Sequence, residues 1–170
     1  MLPEDLKREI GDVHPAAFGW ALVCCAGDRA LAEDVLQTAY LKILDGRARF
    51  DGRSSFRTWL FGVVRRTAAE ARRRERFGRW LSLAGLSAVL GDGKPDSATA
   101  LVRSEESRRV ELALARLPPR QREALHLVFY QDLTISEAAQ VLGVSLGTAR
   151  THYERGKAGL RRLLEPTERS

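Results

Sequence analysis

The densest chemistry in this sequence lies between Ser54 and Arg76, where Arg57, Arg65, Arg66, Arg72, Arg73, Arg74 and Arg76 meet only Glu70 and Glu75 as counter-charges. Such a segment repels itself unless an anion or an acidic partner covers it. Phe50, Phe56, Trp59 and Phe61 are interleaved with these arginines. Rings and guanidinium groups on one surface suit a single nucleic-acid strand, because phosphates follow the positive groove while unstacked bases rest on the rings. For Phe56 and Trp59 alone, packing in a core is the simpler reading.

Two further groups have a spacing that places them on one helix side. Thr148, Arg150, Thr151, His152, Arg155 and Lys157 form the outer side of a predicted helix near the C-terminus, with donors suited to base edges and phosphates. Asp34, Gln37, Thr38 and Leu41 recur three or four residues apart and therefore share a face. That acidic, amide-bearing face is either solvated or a dock for a basic protein surface. Enzyme chemistry finds no such support: there is no G-x-x-x-x-G-K-[ST] loop, G-x-S-x-G elbow or H-E-x-x-H pair. Cys24 and Cys25 are adjacent in an apolar run, and His14, His126 and His152 are scattered, so neither a metal site nor a cofactor is expected. The cysteines read as small buried hydrophobes.

The composition agrees with a polyanionic partner. Lys+Arg 28 against Asp+Glu 22 gives a formal charge of +6. Arginine carries nearly all of it, since only Lys7, Lys42, Lys94 and Lys157 are lysines; guanidinium groups fork onto phosphates and guanine edges better than ammonium groups do. A GC-rich genome would produce the same bias. With 170 residues, 44% hydrophobic and 29% charged, the chain holds one ordinary domain or two small ones. Its apolar runs fall short of the roughly 20 residues of a membrane helix. Glu4, Asp5, Glu9 and Asp12 stand where a signal peptide would be basic and then apolar, so a cytoplasmic protein is expected.

The periodicity predicts helices and no strand. Asp28 caps a helix to about Asp45 with Gly46 as its stop, its apolar side being Leu31, Val35, Tyr40, Ile43 and Leu44. Ser54 or Ser55 caps a long helix to about Arg76, with a core stripe of Phe56, Trp59 or Leu60, Val63, Val64, Thr67 and Ala71. Gly91, Gly93, Pro95, Asp96 and Ser97 mark a linker. Beyond it, Pro118 and Pro119 start a helix to about Tyr130, and Thr134 or Ser136 caps a short helix. Gly143 makes a turn, and Ser145 caps a last helix from Leu146 to about Leu164 with Ala149, Tyr153, Gly156, Leu160 and Leu163 inward. Two helices joined by a short glycine turn are the sequence form of a helix-turn-helix, whose second helix enters the major groove.

These residues resemble a known family, the bacterial RNA polymerase sigma factors of the extracytoplasmic-function (ECF) class. AEDVLQTAYLKI and RFDGRSSFRTWLFGVVRRTAAEARRR resemble the family's region two, and LPPRQREALHLVFYQDLTISEAAQVLGVSLGTARTHYERGKAGLRRLL resembles region four. The resemblance implies an all-α chain of two small helical domains: region two over 1–77, a linker over 78–103, region four over 104–165 and a tail over 166–170. It implies a non-enzymatic initiation subunit that binds core RNA polymerase, through the clamp of the large catalytic subunit and the flap, and directs it to promoters. It also implies an anti-sigma partner, often membrane-bound, which would hold this cytoplasmic protein at the inner membrane face. Asp34, Gln37, Thr38 and Leu41 become the clamp-binding face. Asp51, Gly52, Arg53, Ser54 and Ser55 become the pocket for an extruded minus-ten base, with Phe56 and Trp59 beside it and Arg65, Arg66, Arg72 and Arg73 along the phosphates. Thr148, Arg150, Thr151, His152, Arg155 and Lys157 become the minus-thirty-five readers.

The sequence departs from the family pattern at Thr38, where glutamate is usual, and at His152, where arginine is common. Gly156 and Gly159 inside the last helix each cost about 1 kcal/mol relative to alanine, which only close packing would offset. The alternative readings are a sigma-like decoy that titrates an anti-sigma factor and a stand-alone helix-turn-helix regulator, which would bind duplex DNA without polymerase.

Overall fold

The computed structural model describes residues 3–83 and 105–165, and among them there are helices and no strands. The expectations for the linker turn-formers and for the tail fall outside the described residues. The chain divides into two compact units, Met1–Asp96 and Ser97–Ser170.

The first unit is a bundle of α1 (Pro3–Cys24), α2 (Arg29–Leu44) and α3 (Phe56–Leu83), each packed on the other two. Asp28 caps α2 as expected, its side chain accepting from the Leu31 N–H at 3.0 Å. Ser55 rather than Ser54 begins α3, its Oγ accepting from the Thr58 N–H at 3.1 Å. The core is centred on Trp20, which is fully buried, lies against Phe61 at a ring distance of 6.1 Å and donates its Nε1–H to the Phe61 carbonyl at 3.0 Å. A buried indole needs such an acceptor. Cys24 and Cys25 are buried, and burial pushes the Cys25 thiol up to about 11, so both serve as packing.

Three sequence expectations change in this unit. Phe61 belongs to the core and offers no ring to a base, although Arg57 stands over it at 5.4 Å. The buried side of α2 is Ala32, Val35, Leu36, Ala39 and Ile43, whereas Leu44 is exposed, because the helix turns its small residues toward its neighbours. α3 continues past Arg76 to Leu83, since Gly78 weakens a helix without ending it.

The second unit comprises α4 (Glu105–Arg116), α5 (Pro119–Leu125), a π-helical turn over His126–Tyr130, α6 (Ile135–Leu142) and α7 (Leu146–Leu164). The expected single helix from Pro119 to Tyr130 therefore changes pitch midway; the Gln131 N–H reaches the His126 carbonyl at 3.0 Å. Thr134 caps α6 in a full capping box with Glu137. Gly143, at φ +65°, makes the turn that a side chain would strain. Ser145 caps α7 through the Thr148 N–H at 3.1 Å.

The two helix-interior glycines are explained here. A Cβ on Gly156 would stand 3.0 Å from the Gln121 carbonyl oxygen and 3.0 Å from Leu125 Cγ. One on Gly159 would stand 2.9 Å from Leu117 Cδ2. α7 lies so close to α5 that a side chain at Gly156 would press on backbone, whereas one at Gly159 would have to displace the end of the Leu117 side chain.

Candidate nucleic-acid and protein interfaces

In the first unit, a cleft of about 400 Å³ opens between the end of α2, the chain that follows it and α3. Its walls include Lys42, Arg47, Arg49, Trp59 and Arg66, with Thr67 and Glu70 at the α2–α3 junction. Lys42 Nζ donates to Glu70 Oε2 at 2.6 Å and to Thr67 Oγ1 at 3.3 Å, pinning α2 to α3. The Lys42 hydrogen bond, aided by the charges of Lys42, Arg74 and Arg73, holds the Glu70 carboxyl below its ordinary range. One aromatic ring and several cations are what an unstacked base and its phosphate require.

The loop ahead of α3 satisfies its own polar groups. Asp51 accepts from the Arg53 N–H at 3.2 Å and pairs with the Arg53 guanidinium at 3.3 Å, while Gly52 takes φ +74°. Asp51, Gly52, Arg53 and Ser55 are exposed and Ser54 is half-buried. Phe56 is buried, with Phe50 at 5.7 Å and Trp59 at 5.4 Å between ring centres. It supports Trp59 from behind, and Trp59 alone of the two reaches the cleft.

The four arginines expected along the phosphates separate into two stripes. At 100° per residue, Arg66 and Arg73 lie on the Trp59 side of α3, whereas Arg65 and Arg72 lie about 100° away. Arg72 is close enough to Cys25 to act on its thiol by charge, so it faces the end of α1. Lys42, Arg47, Arg49 and Glu70 also line the cleft, though the arginine and aromatic pattern of α3 does not include them. The run GRARF was the available signal, because Arg47 and Arg49 directly precede the aromatic Phe50.

On α2, Asp34, Gln37 and Leu41 are exposed and Thr38 is half-buried, on one face as the spacing predicted. Leu41 is 47% exposed, which is costly for a leucine without a partner. Asp34, Gln37 and Thr38 also line a groove of about 330 Å³ with Ala71 and Arg74 of α3.

On α7, Ala149, Gly156 and Gly159 are buried while Thr148, Arg150, Thr151 and Arg155 are exposed. Thr148, Thr151, His152 and Arg155 fall within about 100° of one another around the helix, whereas Arg150 and Lys157 form a separate edge. Lys157 stands over the Tyr153 ring at 4.6 Å and pairs with Glu154 at 3.0 Å. Thr148 shares its hydroxyl with Ser145 at 2.9 Å. Among the described residues, no cluster of His, Cys, Asp and Glu is arranged to hold a metal ion, and no helix is long and apolar enough to cross a membrane.

Two basic surfaces on two separate units, one with a cleft and one with a capped helix after a glycine turn, correspond to two family models. Residues 10–77 match Sigma-70 region 2, and residues 107–160 match Sigma-70, region 4. The chain belongs to the ECF class of RNA polymerase sigma factors. It is 31% identical over 139 residues to the RNA polymerase sigma factor CarQ of Myxococcus xanthus, covering 82% of this chain and 78% of that one. It is 31% identical over 143 residues to the ECF RNA polymerase sigma factor SigX of Bacillus subtilis, covering 81% and 73%. Among solved structures it is similar to the sigma factor RpoE, in complex with the anti-sigma factor NepR, from Bartonella quintana. The TM-score is 0.74 at 25% identity, over 98% of this chain and 99% of that one. The sequence expectation of an all-α, two-domain sigma factor is thereby met.

Proposed function

We propose that this sigma factor docks on core RNA polymerase through the α2 face bearing Asp34, Gln37, Thr38 and Leu41. It receives an extruded minus-ten base in the cleft between Trp59, Arg66 and Lys42, with Arg73 farther along the strand path. It reads the minus-thirty-five duplex with Thr148, Thr151, His152 and Arg155 of α7, while Arg150 and Lys157 reach backbone phosphates from the edge. The chemistry of RNA synthesis belongs to the polymerase, and the sigma factor acts in the cytoplasm as a non-enzymatic subunit. An anti-sigma factor, as in the complex of the Bartonella relative, is its expected regulator.

The observation that carries this reading is the cleft: Trp59 is its one ring and Lys42, Arg47, Arg49 and Arg66 are its cations, while the loop 51–55 is the stretch of chain between its Arg49 and its Trp59 and does not line it. Extruding a base costs a few kcal/mol and stacking it on a ring returns about 1–3 kcal/mol. The near balance explains why such a factor needs polymerase to hold the strands apart.

Docking is tested by gel filtration of the full chain with core polymerase. The wild type co-elutes with the polymerase, and Leu41→Glu, an exposed substitution that spares the bundle, elutes alone. Co-elution of Leu41→Glu at the wild-type level would remove α2 from the interface.

A further inference from the structure

The exposed face of α3 does not end at the cleft. Trp59, Arg66, Arg73 and Trp80 are spaced seven residues apart. An α-helix drifts only about 20° per seven residues, so the four side chains rise along one nearly straight stripe about 32 Å long at 1.5 Å per residue. Phe77 joins the stripe at its far end. Its ring and that of Trp80 stack at 5.9 Å with 25° between their planes, yet the two residues are 61% and 62% exposed. Arg66, Arg73 and Arg76 are exposed too, and none holds an ion pair among the described residues. Trp80 lies beyond residue 77, where the match to region 2 ends.

We propose that the last turns of α3, with Phe77 and Trp80 as a stacking platform and Arg73 and Arg76 as phosphate contacts, bind single-stranded DNA, extending the strand path that begins at the cleft. This rests on the functional reading above. Charge complementarity selects the occupant: Arg72, Arg73, Arg74, Arg76 and Arg79 face a single Glu75 between residues 72 and 83. The mixing of ring and charge distinguishes a strand from a lipid surface. A helix that lies in a membrane interface gathers its apolar residues on one side and its charges on the other. Here Arg73 falls between Phe77 and Trp80 around the helix axis, and Arg76 falls beside Trp80. Bases on rings with phosphates on neighbouring guanidinium groups use that mixture fully. At the 3.4 Å spacing of a stacked strand, the stripe spans about nine nucleotides.

The experiment uses the full chain and a fluorescein-labelled dT20 strand at low salt, read by anisotropy. Phe77→Ala with Trp80→Ala weakens binding roughly tenfold or more, as the loss of stacked bases requires. Phe77→Tyr with Trp80→Phe, which keeps both rings, restores it. Trp59→Ala with Arg66→Ala is measured alongside. If that cleft variant loses affinity while the Phe77/Trp80 variant keeps it, the extension is refuted and the cleft reading stands. If neither changes, or if the wild type does not bind, both are refuted. The same proteins are sedimented with vesicles of phosphatidylcholine and anionic phosphatidylglycerol. Binding to vesicles that is lost in the Phe77/Trp80 variant, with unaltered dT20 affinity, assigns the platform to a membrane and overturns the proposal.

Discussion

Gly156→Ala offers a test of the close approach between α7 and α5, because intrinsic propensity and packing predict opposite signs. In an open helix the change stabilises by about 1 kcal/mol. Here the new Cβ stands 3.0 Å from a backbone carbonyl oxygen, that of Gln121, and 3.0 Å from Cγ of the buried Leu125. Neither can swing aside, so the helices must part by some tenths of an ångström. Overpacking of this kind costs about 1–3 kcal/mol, which leaves a net loss on the order of 1 kcal/mol. Gly159→Ala crowds Leu117 Cδ2, at 2.9 Å, with Gln121 Oε1 at an ordinary 3.8 Å, and a rotation of the leucine costs about 0.5–1.5 kcal/mol, close to cancelling the propensity gain. For a unit of this size 1 kcal/mol moves the melting temperature by about 4–8 °C. The assay separates the units without cutting the chain. Trp20, Trp59 and Trp80 all lie in the first unit, so tryptophan fluorescence follows that unit alone while far-ultraviolet circular dichroism follows both. The expected result is a dichroism transition lowered by several degrees in Gly156→Ala, little changed in Gly159→Ala, and a fluorescence transition unmoved in both. A raised transition in Gly156→Ala would refute the packing argument.

His126 is pulled down to about 4 by burial, so the unfolded chain takes up the proton first as pH falls below the ordinary value of 6.5. The second unit should therefore lose roughly 2 kcal/mol between pH 7 and pH 5, and His126→Leu should flatten that loss in a melting series. Glu70, held low by Lys42, acts in the acid range: its contribution is full above its ordinary value of 4.5 and is lost as pH falls through the lower folded value. Because its side chain is 38% exposed, the effect should be under about 1 kcal/mol, and Glu70→Gln should remove it from urea midpoints measured between pH 5 and pH 3. Trp20→Ala should cost about 3–5 kcal/mol, enough to unfold much of the first unit, seen as loss of helical dichroism; a fully helical variant would contradict the central place of Trp20.

The parts of this structure legible in the sequence are those fixed by local chemistry. Asp28, Thr134 and Ser145 cap because their side chains reach N–H groups three residues on, and Gly143 turns because its φ is positive. The limits of α7, Leu146–Leu164, follow from the same rules. What was not legible depends on which neighbour arrives. Pro15 lies inside α1, whose limits carry no side-chain cap signal. Phe61 and Trp59 have similar local contexts, and only the arrival of Trp20 from α1 sends Phe61 inward. The cleft was half legible: Trp59 and Arg66 were named from the arginine and aromatic mixture, but Lys42, Arg47 and Arg49 enter it from the end of α2 and the chain that follows. The π-helical turn after Leu125 has no periodic signature at all.

The central claim is that this chain gives RNA polymerase a promoter specificity. It is tested most directly by run-off transcription with purified core polymerase on sheared genomic DNA from the protein's own source, with and without the protein, and with mapping of the transcript ends. Discrete new start sites are expected, lost in Trp59→Ala with Arg66→Ala and in Thr151→Ala with Arg155→Ala, with upstream sequences that align into two elements. No new starts from a folded protein that binds the polymerase would contradict the claim.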